Sequence, residues 1–301
     1  MELRNLHRGI TRCRWAATAV AISVLSAASL HAAETPPKSP STPTRIVSLN
    51  MCTDELVLRL ADRSRVASVT WLSRDPKASN VADMTSSVPV NHGLAEEIIP
   101  LDPDLVIAGT FTTRTAVALL KQTQSRFVEF EVPKNLAEVE KQIIDMARLL
   151  DEPARGQMLV DDMNRRMAAP GGISFAKRPT AMVFNPNGFT VGAGTLVDDI
   201  MTRAGLENVA AHMDLGNYTQ IPLEILVRSA VDVLIVSASR DGPPSLATEM
   251  LKHPVLSELG SHTRVVVLPS RLWSCGGPEV VEAISRLRTA ADSIRKDTNE
   301  R

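Results

Sequence analysis

Residues 96–109 read EEIIPLDPDLVIAG, and residues 224–238 read EILVRSAVDVLIVSA. In both stretches a glutamate, Glu96 or Glu224, heads a short apolar-periodic helix. An aspartate, Asp104 or Asp232, stands eight positions later, and a run of β-branched residues and leucine follows. A near-continuous apolar run of that length marks a parallel strand buried on both faces by helices. One such unit belongs to any α/β protein. Two with the same internal spacing predict two similar lobes, each carrying a glutamate at the same place on its surface.

The rest of the chain fits that division. From Arg45 onward, apolar runs at 46–49, 66–69, 105–108 and 127–132 read as strands, with helical patterns at 54–60, 115–120 and 136–150 between and after them. Such alternation implies a mostly parallel sheet with helical crossovers. Glu152-Pro153 then opens a helix, since proline is well placed where no intrahelical N–H bond is lost. Pro170-Gly171-Gly172 stops it. A second alternating series follows, with strands at 180–184, 231–236 and 265–268 and a closing helix from Pro278 to Ile294. The fold class expected is α/β: two Rossmann-like lobes, 45–152 and 171–301, bridged by a single long α-helix over 153–170.

The first 33 residues are expected to stand outside the fold. Arg4, Arg8, Arg12 and Arg14 precede an apolar, Ala- and Ser-rich run ending near Ala32-Ala33, the layout of a secretory signal peptide. Residues 34–44, ETPPKSPSTPT, read as a flexible tether. The formal net charge is −1 and the basic residues are scattered, so no electrostatic footprint for nucleic acid is expected.

No catalytic constellation stands out: GxSxG, Walker, HExxH and GxGxxG patterns in the right context are absent from the sequence. Gly192 and Gly194 read as an ordinary strand-to-helix turn. No two histidines sit at ligand spacing, and no metal site is expected. Cys52 and Cys275 follow the first and last strands, at the strand ends where α/β sheets bind ligands. In an exported protein the pair is read either as a disulfide or as free thiols. A bridge would clamp the lobes across the ligand entrance, so free cleft thiols are the expectation. Trp71, Phe111, Phe189, Tyr218 and Trp273 also follow strands or precede the Glu224 helix, a bed of rings for a flat, bulky ligand.

With its leader, its RIVSLNMCTDEL opening, its LDPDLVIAG strand, its Glu-headed repeats and its single connecting helix, the chain resembles the periplasmic substrate-binding proteins of ABC importers for vitamin B12, iron–siderophores and haem. The resemblance spans about residues 45–297. It implies a non-enzymatic, monomeric periplasmic protein without a cofactor of its own. Such a protein captures a bulky metal chelate between two lobes and passes it to an ABC permease in the inner membrane. It further implies a cleft formed by Asn50, Met51, Cys52, Thr53, Trp71, Phe111, Phe189, Tyr218, Trp273, Ser274 and Cys275. Glu96 and Glu224 are expected to dock onto permease arginines, with Glu97 a neighbour able to substitute. Two alternatives stand beside this one: a divalent-metal-binding relative, and a secreted enzyme using a cleft cysteine.

Overall fold

The computed structural model describes residues 42–168, 178–213, 216–237, 254 and 263–299. The expected leader, most of the expected tether and the last two residues of the expected connector lie outside them. In the first lobe, strands β1 (Ile46–Ser48), β2 (Val66–Thr70), β3 (Val90–Asn91), β4 (Leu105–Gly109) and β5 (Arg126–Phe130) form one sheet in the order β3-β2-β1-β4-β5. All its pairings are parallel. Helices α1 (Met51–Leu60), α2 (Ala95–Ile98), α3 (Arg114–Leu120) and α4 (Leu136–Leu149) make the crossovers and close the lobe. Helix α5 (Pro153–Met167) connects to the second lobe, with Pro153 in its first turn as the sequence requires.

The second lobe has strands β6 (Thr180–Val183), β7 (Phe189–Val191), β8 (Glu207–Asn208), β9 (Tyr218–Gln220), β10 (Val233–Ser237) and β11 (Arg264–Leu268). Its helices among the described residues are α6 (Leu196–Arg203), α7 (Leu223–Ser229) and α8 (Val280–Asn299). The parallel sheet runs β11-β10-β6-β8, and β7 pairs with β9 as a separate antiparallel ribbon. Every residue of β4 and β10 is buried, as their unbroken apolar runs predicted.

The repeated sequence is a repeated structure. Asp104 Oδ2 accepts hydrogen bonds from the Thr44 backbone N–H and hydroxyl, both at 2.7 Å, and its Oδ1 accepts from Arg45 N–H at 3.0 Å. Asp232 Oδ2 accepts from Thr180 N–H at 2.7 Å and from its hydroxyl at 2.8 Å. Each aspartate stands just before an interior strand, β4 or β10, and seats the chain entering the neighbouring strand, β1 or β6. Two positions before each aspartate the backbone turns left-handed, at Asp102 (φ 45°) and Ala230 (φ 43°). Burial pushes the Asp104 carboxyl up, but the bonds from Thr44 and Arg45 outweigh it and hold the group below its ordinary value. Thr44 is thereby bonded to the lobe, and Thr42 donates its hydroxyl to Asp151.

The lobes meet along a continuous seam. One apolar core includes Leu56 and Leu60 of α1, Ile143 and Met146 of α4, Ile200 of α6, and Val280 and Ile284 of α8. Polar contacts cross it too. Leu136 N–H donates to Asp199 at 2.8 Å, and Asn80 and Arg271 exchange two bonds of 2.6 and 2.9 Å. Gly276 lies so close to the first lobe that a Cβ there would come within 2.3 Å of Pro133. The expectation of free thiols is overturned: Cys52 and Cys275 form a disulfide with Cα atoms 5.0 Å apart. At that separation bridging needs no backbone movement. The bridge joins the lobes at the base of the cleft, where they are already in contact, and not across its mouth.

Beside the bridge lies an acidic cluster. Glu55 Oε1 accepts from the Asn80 backbone and amide, Arg59 pairs with Glu279, and the Oε2 atoms of Glu55 and Glu279 both flank Gly277. Burial, reinforced by the Glu279 charge, pushes Glu55 from 4.5 to about 7 against the bonds from Asn80 and the Arg59 charge. Asp54, which accepts from Thr70 and Ser73 in the core, is pushed by burial from 3.8 to about 6. In both cases the folded protein holds its proton to higher pH than the unfolded chain. Their contribution to stability is therefore full below the unfolded values and declines as pH rises toward 6–7.

Three outcomes follow for the seam. A thiol titration of unfolded, non-reduced protein will find neither Cys52 nor Cys275 reactive, and replacing both by Ser will cost ~2–5 kcal/mol in a denaturant melt. Gly276→Val will destabilise by ~1–3 kcal/mol through overpacking against Pro133. Chemical denaturation across the pH range will show stability falling between about 4.5 and about 7, with a shallower fall in Glu55→Gln.

Candidate functional site

A cavity of about 510 Å³ opens between the lobes where the C-terminal ends of their strands converge. This is where open α/β sheets bind ligands, at the point where strand order reverses; in the first lobe that point lies between β1 and β4. After β1, Asn50 caps α1, its Oδ1 accepting from Cys52 N–H at 2.9 Å. Gly109, at the end of β4, leaves room for that amide, since a Cβ there would sit 2.9 Å from Asn50 Cγ. Thr110 and Phe111 continue the rim, joined by Phe130 at the end of β5 and by residues 131–133 after it. Gln142 of α4 also lines the cavity. From the second lobe come Val183 at the end of β6 and Asn185 after it, Phe189 and Tyr218 from the ribbon, and Trp273, Ser274 and Gly276 after β11.

Of the residues expected in the cleft, Asn50, Cys52, Thr53, Phe111, Phe189, Tyr218, Trp273 and Ser274 line this cavity. Met51, Trp71 and Cys275 do not. Trp71 instead stacks on His92, ring centroids 6.3 Å apart, and Cys275 is buried as the inner half of the bridge. The rings differ in kind. Phe111 is 80% exposed at the rim, whereas Trp273 is 4% exposed and belongs to the shared core. Phe189 and Tyr218 are diagonal neighbours across the β7–β9 ribbon and stack with centroids 6.2 Å apart. Burial raises the Tyr218 phenol further above its ordinary value, so it enters the site as a neutral hydroxyl.

The walls are thus mainly apolar and aromatic, with amides and hydroxyls set among them, the composition of a site that holds a bulky ligand by surface burial and orients it with a few polar contacts. Among the described residues no three His, Cys, Asp or Glu converge as a metal-ion set. The disulfide leaves neither cleft sulfur as a thiolate, which removes the chemistry on which an enzyme using a cleft cysteine depends. Residues 130–133 and Gln142 were missed in the sequence. The first group fell mostly within the strand expected over 127–132, whereas β5 ends at Phe130 and residues 131–133 follow it. Gln142 lies within an amphipathic helix and carries no sequence signal.

The two surface glutamates are exposed and make no ion pair among the described residues. Glu96 lies in α2 and Glu224 in the first turn of α7. Glu97 is occupied: its carboxylate accepts from His92 N–H at 2.6 Å and pairs with His92 Nδ1 at 2.8 Å, bonds that hold it below its ordinary value.

Comparison with known proteins bears on this arrangement. A cobalamin-binding protein of Halobacterium salinarum (strain ATCC 29341 / DSM 671 / R1) is 23% identical over 257 residues, covering 83% of this chain and 70% of its own length. The periplasmic haem-binding protein RhuT from Roseiflexus sp. RS-1, in apo form, superposes with a TM-score of 0.66 at 23% identity, covering 82% of this chain and 97% of that one. The periplasmic vitamin B12-binding protein BtuF of Vibrio cholerae gives 0.64 at 17% identity, with coverage of 85% and 99%. The fold is therefore shared with proteins of low sequence identity. The family profile described as periplasmic binding protein matches residues 46–272, from β1 to the turn before Trp273, and the chain belongs to that family.

Proposed function

We propose that this protein is the substrate-binding component of an ABC importer, capturing a bulky metal chelate between its lobes in the periplasm and delivering it to a membrane permease. The observation that carries this reading is the cleft itself: aromatic and amide side chains from both lobes meet at the strand ends around a cavity, and the cysteine beside it is held in a disulfide. Family membership supports it, as do the cobalamin- and haem-binding descriptions of the relatives. The chelate is cargo, and its metal needs no protein ligand to be carried.

In this reading the chain is exported as a monomer after loss of residues 1–33, with lobes 45–152 and 171–301 and the connector 153–170 between them. Glu96 and Glu224 are the contacts to the permease. A helix that leads into a parallel strand runs antiparallel to it, so the first turn of α2 and of α7 lies toward the end of the sheet that carries the cleft. Both carboxylates are then displayed beside the ligand, with no partner of their own to release.

Two experiments test the reading. Titration of the mature protein with cyanocobalamin, haemin and a ferric hydroxamate, followed by tryptophan quenching, will show saturable binding of at least one. Phe189→Ala and Tyr218→Ala will each weaken it by ~5–20-fold, and failure of all three chelates to bind would refute the reading. Charge reversal in a Glu96→Lys, Glu224→Lys double variant will leave chelate affinity intact and cut importer-dependent uptake by ~10-fold or more. Normal uptake at normal expression would leave the repeated glutamates as architecture alone.

A further inference from the structure

We infer that the cleft selects a chelate whose rim carries uncharged carboxamide groups, and that Glu131 is the residue that turns carboxylate-bearing chelates away; this rests on the importer reading of the same site.

The polar groups of the lining carry the argument. Glu131 stands at the end of β5 on the cavity wall, and its position is fixed from the neighbouring strand. Thr110 donates its hydroxyl to Glu131 Oε2 at 2.9 Å, while Thr110 N–H donates to Phe130 O at 3.1 Å. The Glu131 carboxylate is exposed at the cavity wall, and its hydroxyl partner brings no countercharge. A second acceptor lies deeper. Gln142 Oε1 is buried without a hydrogen-bond partner, and a buried acceptor of this kind is costly unless a ligand supplies the donor. Were the amide turned over, its Nε2 would occupy the same place and seek an acceptor, so a carboxamide, which offers both, satisfies either orientation.

Donors are present as well. Asn50 Oδ1 accepts from Cys52 N–H, and Asn185 Oδ1 accepts from Ser237 N–H at 3.1 Å. These bonds fix both amides and leave each Nδ2 as the donating group. The described lining thus holds both halves of a carboxamide's hydrogen-bonding complement. A ligand carboxylate would accept from the two asparagines but would face the Glu131 charge. Sites that match hydrogen-bonding groups discriminate far more sharply than apolar pockets that differ by a methylene, and a like charge adds a repulsive element against the wrong ligand.

The test compares ligands of one shape. Cyanocobalamin, whose corrin rim carries carboxamides, and its peripheral monocarboxylates, each isomer separately, would be titrated at neutral pH into the unmutated protein and into Glu131→Gln. At least one monocarboxylate should bind the unmutated protein ~5–10-fold more weakly than the parent. The ratio should approach one in Glu131→Gln, through tighter binding of the monocarboxylate. In the unmutated protein the ratio should also narrow as NaCl is raised to about 1 M, a control that depends on no variant folding. Equal affinities in the unmutated protein, or a ratio that neither Glu131→Gln nor salt changes, would overturn the inference. If haemin or a ferric hydroxamate binds and neither corrinoid does, the inference fails while the importer reading survives. If no chelate binds, both fail.

Discussion

The seam between the lobes is the constraint on which the rest of the structure depends. A covalent bridge at Cys52–Cys275, an apolar core shared by α1, α4, α6 and α8, and the close approach of Gly276 to Pro133 set the separation of the two sheets. The sheets point their C-terminal strand ends at each other, so this separation sets the size of the cavity between them. A hinge with few contacts would leave the cleft aperture free to vary. Here cross-linking and burial act together, and large relative motion of the lobes would have to break both. Phe111 stands exposed at the rim, away from these constraints.

Within each lobe a second device repeats. An aspartate before an interior strand accepts the hydrogen bonds of the chain entering the adjacent strand, at Asp104 with Thr44 and at Asp232 with Thr180. The left-handed turn two residues earlier appears in both lobes although neither Asp102 nor Ala230 is a glycine. Non-glycine residues adopt that conformation only when the surrounding structure imposes it. The shared strain points to a common constraint: the helix must end abruptly so that the strand can start in register. The Glu-to-Asp spacing follows from it, since both residues belong to one rigid helix–turn–strand unit.

Much of this was legible in the sequence because it rests on local patterns. The buried strands β4 and β10 and the connector opened by Pro153 each have a chemical cause within a few residues. What was not legible depends on distance. The ribbon of β7 and β9 has three-residue strands, too short for alternation to register, so Tyr218 was read as a loop residue. Trp71 obeyed the same strand-end rule as Phe111, yet it stacks on His92 outside the cavity, because the rule does not say toward which neighbour a ring turns. The disulfide was judged by where a bridge would block a ligand. Whether Cys52 and Cys275 meet at the base of the cleft or at its mouth is a property of the packed lobes alone.

The account's central claim is that a chelate sits between the strand ends of both lobes while the seam holds them in place. Hydrogen–deuterium exchange, with and without saturating amounts of a chelate that binds, tests it most directly. The account predicts protection on both sides of the cleft, at Gly109–Phe111 and Phe130–Pro133 in the first lobe and at Phe189, Tyr218 and Trp273–Gly276 in the second, with little change in the already protected seam helices α1 and α4. Protection confined to one lobe, or centred on the surface around Trp71 and His92, would contradict it.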